Sequence, residues 1–196
     1  MQNDIKIAIT GGICCGKSTV AQIIREQGYK VLSCDEIYKE LLNNIDFVNL
    51  IDSEFNGVKN NDGTLNRDKL SEIVFADNEK LKKLNSITHP QIMQRAMEQM
   101  SGNGIFFCEV PLLFEGQFEG LFDNVIVVLR DENERLRELM QRSKIGEIRA
   151  KKRINSQFDY KNCDFTKYYV IHNDTSLADL RKNTLEALSK IIEDYN

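Results

Sequence analysis

A chain of 196 residues, 41% hydrophobic and 29% charged, has the size and make-up of a soluble globular protein with one substantial core. A net charge of −4 and a pI near 5.4 argue against a general nucleic-acid binder, which is usually basic. The five cysteines, Cys14, Cys15, Cys34, Cys108 and Cys163, are odd in number and form no C-x-x-C pair, so neither a zinc site nor a disulfide framework is indicated. A reducing cytoplasm fits this usage. Met1-Gln2-Asn3-Asp4 leads straight into a strand pattern without the basic and apolar regions of a signal peptide. No apolar run approaches the length that spans a bilayer, so a cytoplasmic protein with no membrane contact is expected.

Ile5-Lys6-Ile7-Ala8-Ile9 alternates as a β-strand does, and Thr19 to Gln27 reads as a helix closed by Gly28. Between them Gly11-Gly12-Ile13-Cys14-Cys15-Gly16-Lys17-Ser18 matches the phosphate-binding pattern G-x-x-x-x-G-K-[ST] in full. Strand, glycine loop and helix are the context this motif needs. The loop's N–H groups can turn inward around phosphate oxygens, with the partial positive charge of the helix end behind them. Lys17 can reach the β- and γ-phosphates, and the Ser18 hydroxyl can ligate Mg²⁺. A nucleoside triphosphate site follows. Cys14 and Cys15 stand beside Lys17 and the positive helix end, a setting that favours thiolate and predicts reactive thiols.

Tyr29 to Cys34 reads as a second strand ending at Asp35, and Ile105 to Val110 as a third. Residues 36–101 between them are helix-rich. Ile37, Leu41, Leu42, Ile45 and Val48 recur at helical spacing, then Leu70, Ile73 and Val74, then Ile92, Met93, Ala96 and Met100, with a polar turn over Asn56 to Asp62. That length far exceeds an ordinary crossover and predicts an inserted helical subdomain for a second substrate. Val125 to Leu129 and Tyr169 to His172 complete five strands, and Ser176 can cap a last helix. The pattern predicts an α/β chain with a parallel sheet covered on both sides.

Residues 130–153 hold nine Lys or Arg, among them Arg135, Arg142 and Arg153, against five acids. Such a stretch reads as a solvated helix pair or, beside a phosphate site, as an arginine-bearing lid over residues 131–160. No Asp is followed three residues later by Gly, and there is no Asn-Lys-x-Asp, so the GTPase signals are missing. A small-molecule kinase accounts for both the insertion and the lid. It needs a carboxylate to orient or deprotonate the acceptor hydroxyl, and Asp35, at the expected carboxyl end of the second strand, is placed for that. Asp35 can also serve as the N-cap of a helix starting near Ile37. Glu109 ends the third strand, where a carboxylate can hold Mg²⁺ through water or stand as an exposed strand-end charge.

The order Gly11-Gly12-Ile13-x-x-Gly16-Lys17-Ser18-Thr19, then Asp35-x-Ile37, then Leu65-Asn66-Arg67 onward to Ile73-Val74-Phe75, resembles the dephospho-coenzyme A kinase family. So do Thr88-His89-Pro90-x-Ile92, Val110-Pro111-Leu112-Leu113-Phe114-Glu115, and the spaced Arg142, Arg153 and Gln157. The resemblance implies a P-loop kinase fold with a central parallel five-stranded sheet: core 1–35, 102–130 and 161–196, helical acceptor subdomain 36–101, and lid 131–160. It implies transfer of the γ-phosphoryl of ATP to the ribose 3′-hydroxyl of dephospho-coenzyme A, with Mg²⁺. Lys17 and Asp35 would be catalytic. Gly12 to Thr19 with Arg142 and Arg153 would bind ATP, and Arg67, His89, Phe114 and Glu115 would join Asp35 on the acceptor. Taken by themselves, His89 before Pro90 reads as a helix-start packing residue and Phe114 as core. The chain departs from the family pattern at Cys14-Cys15, where Gly-Ser is usual, at Ser33-Cys34-Asp35, which leaves one carboxylate, and at Glu109, where the family has Asp. Cys14 must therefore take up a conformation glycine adopts more easily. A monomer acting on small molecules is expected. A nucleoside monophosphate or shikimate-type kinase, or an ATP-binding regulatory module, are the other readings of the loop.

Overall fold

Three strands carry unbroken buried runs, Ile7–Thr10, Phe106–Glu109 and Val125–Val128, which only a sheet covered on both faces can hold. The computed structural model describes residues 4–195. Its sheet comprises β1 (Asp4–Thr10), β2 (Lys30–Ser33), β3 (Gly104–Glu109), β4 (Asn124–Leu129) and β5 (Tyr169–His172), in the order β2-β3-β1-β4-β5. β1 runs parallel to β3 and β4, and β4 to β5. Parallel pairing brings the carboxyl ends of these strands to one edge, where ligands gather in such folds.

The helices are α1 (Lys17–Glu26), α2 (Cys34–Leu41), α3 (Ile45–Phe55), α4 (Arg67–Phe75), α5 (Asn78–Gln99), α6 (Glu132–Ser143), α7 (Glu147–Asn155) and α8 (Leu177–Tyr195). α1 and α8 lay Val20, Ala21, Ile24, Leu180, Leu188 and Ile191 against Ile7, Ile9, Phe107, Ile126 and Ile171 of the sheet, forming the main core. Buried apolar area of this kind is the dominant stabilising term, at roughly 25 cal/mol per Å².

The chain divides into two compact units, one of Met1–Leu32 with Met100–Asn196 and one of Ser33–Gln99. The second is helical. Phe47, Val48 and Ile51 of α3 pack with Leu70 and Val74 of α4 around Val58 and Leu65. Glu40 of α2 accepts from Arg95 at 2.9 Å and from Gln99 at 3.0 Å, tying α5 to α2.

Three local expectations need correcting in this unit. The apolar spacing from Ile37 to Val48 does not form one helix: the Asn44 side chain accepts from Asp46 N at 2.8 Å and starts α3 afresh. α2 begins at Cys34, with Ser33 in extended conformation at its N-cap, so Asp35 is not a cap but lies in the first turn. Its charge there is favourable to the helix dipole, by about 0.3–1 kcal/mol. His89-Pro90 does not open a helix, because both residues lie inside the 22-residue α5. Proline costs a helix interior about 3 kcal/mol. The buried face formed by Thr88, Ile92, Met93 and Ala96 carries the helix through it.

Candidate active site

The loop after β1 turns on Gly11 and Gly16. Gly11 has φ 147°, and a Cβ there would come within 2.2 Å of the Val128 carbonyl oxygen. Gly16 has φ 100° at the N-cap of α1, and a Cβ there would meet the Asn173 amide at 2.4 Å. Both positions demand glycine. Cys14 adopts φ 60°, the left-handed conformation expected of it.

Lys17 folds back over the loop, its Nζ donating to the carbonyl oxygens of Gly11 at 2.9 Å and Gly12 at 3.0 Å. One residue on, the Ser18 hydroxyl donates to Glu109 Oε1 at 2.8 Å. Glu109 closes β3 and is only 9% exposed, so the start of α1 and the end of β3 bring a hydroxyl and a buried carboxylate together. These oxygens suit Mg²⁺, which takes one or two protein oxygens and fills the rest with water and phosphate. Among the described residues no three His, Cys, Asp or Glu side chains converge into a protein cage for a metal.

Other side chains hold the loop backbone. Arg135 of α6 donates through Nε to Ile13 O at 2.9 Å, and Arg130 Nη1 donates to Cys14 O at 3.2 Å. Gln157 accepts from Ile13 N at 2.7 Å, and Asn173 Nδ2 donates to Cys15 O at 3.0 Å. Arg130 also pairs with Glu138. Arg142 and Arg153, on α6 and α7, are exposed. Arg130 and Arg135 stood in the sequence only as members of a basic run. A cleft of roughly 530 Å³ opens beside Gly12 and Cys15, walled by Leu129, Arg130, Tyr160 and Asp174.

Both loop thiols are buried. Cys15 is 1% exposed and Cys14 7%. Burial pushes the Cys14 thiol up against the opposing charge of Arg142, and pushes Cys15 up against the pull of Lys17.

After β3, Phe114 is half-buried in a ring cluster with Phe158 at 4.8 Å, Tyr168 at 5.7 Å, Phe165 at 5.8 Å and Tyr160 at 6.0 Å. Glu115 accepts from Phe158 N at 2.9 Å. Burial pushes the Tyr160 hydroxyl up, and that hydroxyl lies 3.3 Å from Thr10 Oγ1.

The helical unit carries the remaining candidates. Asp35 and Arg67 are exposed, the latter at the start of α4 beside a cleft of about 640 Å³ lined also by Asn60, Leu65 and Ser71. Burial pushes the Tyr38 hydroxyl up, with Arg67 pulling the other way. His89 is half-buried, and burial holds its imidazole below the usual range.

The family model described as dephospho-CoA kinase matches residues 5–179. A dephospho-CoA kinase of Fusobacterium nucleatum is 36% identical over 179 residues, covering 90% of this chain and 93% of that one. A crystal structure from Thermus thermophilus superposes with TM-score 0.79 at 32% identity, covering 96% of this chain and 98% of its own. The structure of a dephospho-CoA kinase from Campylobacter jejuni gives TM-score 0.72 at 34% identity, over 97% and 98% of the two chains. The match runs through the phosphate loop, the helical unit and helices α6 and α7, and the chain belongs to the dephospho-CoA kinase family.

Proposed function

We propose that this chain carries out its family's reaction with the residues described above. It is a P-loop kinase that phosphorylates dephospho-coenzyme A at the expense of ATP, the final step of coenzyme A synthesis. The observation that carries the reading is the extent of the family match, residues 5–179, which takes in far more than the phosphate loop.

Gly12 to Thr19 cradle the triphosphate, and Arg142 and Arg153 add charge from α6 and α7. Lys17 leaves the loop carbonyls for the β- and γ-phosphates and stabilises the charge that develops during transfer. Ser18 would hold Mg²⁺ directly and Glu109 through water, and the ion, when bound, would supply charge neutralisation for the transferring phosphate. Asp35 orients the ribose 3′-hydroxyl of dephospho-coenzyme A and accepts its proton. The hydroxyl oxygen forms a bond to the γ-phosphorus as the bond from that phosphorus to the β–γ bridging oxygen breaks, and ADP leaves with the electron pair. Arg67, His89, Phe114 and Glu115 contribute to acceptor binding. No described helix is long and apolar enough to cross a membrane.

Asp35→Asn tests the role assignment. Asn keeps the size but neither carries the charge nor takes the proton. Turnover should fall by about 10²- to 10⁴-fold with ATP affinity and thermal stability little changed. A loss of stability with turnover within a few-fold of the parent would reduce Asp35 to a favourable charge in the first turn of α2.

A further inference from the structure

Ile13, the third residue of the phosphate loop, has both backbone polar groups taken by side chains from far along the sequence. Its N–H donates to Gln157 Oε1 and its carbonyl accepts from Arg135 Nε, at 2.7 and 2.9 Å. Arg135 Nη2 donates to the same Gln157 oxygen at 3.2 Å and closes a triangle. Gln157 Oε1 thus spends both lone pairs, one on the loop and one on α6.

The next loop residue is the strained one. Cys14 holds φ 60° without being glycine, and such a conformation persists only where the surroundings over-determine it. Here they do so on three consecutive residues. Gln157 and Arg135 fix Ile13, Arg130 holds the Cys14 carbonyl, and Asn173 holds the Cys15 carbonyl. The Cys14 side chain is buried with Leu139 of α6 and Ala150 and Ile154 of α7. Gln157 lies two residues past α7, and its neighbour Phe158 is fastened by Glu115 and Phe114 to the loop after β3.

We propose that Gln157 is a positioning residue for phosphoryl transfer: by holding the Ile13 N–H it fixes the loop's curvature at Cys14. Through Phe158 it also joins that curvature to the Phe114-Glu115 segment. The inference rests on the reading that this loop holds the triphosphate of ATP.

Gln157→Met removes the acceptor at nearly constant size, and Gln157→Asn is one methylene too short to bridge both donors while staying polar. In each, loss of one well-placed hydrogen bond should raise the KM for ATP by about tenfold, with the KM for dephospho-coenzyme A changed far less. Cys14→Gly in the Gln157→Met background should recover most of the ATP KM, since glycine takes up φ 60° without being held there. Thermal melts accompany each variant. An ATP KM within twofold of the parent in both single variants overturns the proposal, as does a melting loss with no change in KM, or failure of Cys14→Gly to rescue. Lys17→Ala is the separate control: unchanged ATP affinity there overturns the placement of the triphosphate itself, and the role of Gln157 with it.

Discussion

Ser18 donates its hydroxyl proton to Glu109 at 2.8 Å, joining the first turn of α1 to the end of β3 across 91 residues of sequence. The glutamate side chain thus reaches the serine that follows Lys17. If the pair serves one Mg²⁺ ion, Glu109→Gln should raise the Mg²⁺ concentration for half-maximal turnover by about 10- to 100-fold, the range for groups that support a metal through its ligands. Ser18→Ala should act in the same direction, and the double variant should cost less than the two effects combined, because both act on one ion. A Mg²⁺ titration of turnover that is unchanged in Glu109→Gln would show that the carboxylate only anchors the serine.

The thiols of the loop should be slow to react. The thiolate is the nucleophile, and burial holds both Cys14 and Cys15 in the thiol form. Cys163 is exposed. Brief iodoacetamide treatment near neutral pH, followed by peptide mass spectrometry, should label Cys163 first and leave turnover intact. Early labelling of Cys14 or Cys15 with loss of activity would mean that Lys17 and the helix end outweigh burial.

His89 makes the stability of the chain depend on pH. Burial lowers its folded pKa below the unfolded value of about 6.5. The unfolded chain therefore takes up a proton first as pH falls, so stability is full above about 6.5 and declines below it until the folded imidazole also protonates. Denaturant unfolding at pH 7.5 and 5.5 should show a smaller drop for His89→Gln than for the parent. His172 is common to both proteins and does not affect the comparison. Equal drops would place the cause elsewhere.

The sheet was readable where strand burial leaves a local signature: Val125 to Leu129 is an apolar run of strand length, buried from Val125 to Val128, and β4 lies there. The phosphate loop was readable because its residues are consecutive. The start of α2 was not, since Cys34 extends an apolar strand pattern and Ser33 caps with no side-chain hydrogen bond. α5 hid its continuity at Pro90, where packing by Ile92 and Met93 overrides proline's local preference. The side chains that hold the loop left no local trace of that role. Arg135, Gln157 and Asn173 stand 122, 144 and 158 residues from their partners, and only folding brings them together.

Acceptor-dependent release of ADP measures the central claim most directly. Purified protein with Mg-ATP is offered dephospho-coenzyme A, AMP and shikimate in turn, and the product is identified by mass and by the position of the new phosphate. The account predicts stoichiometric turnover with dephospho-coenzyme A, a single new phosphate on the ribose 3′-oxygen, and little reaction with the other two. Robust turnover of AMP or shikimate with none on dephospho-coenzyme A would contradict it.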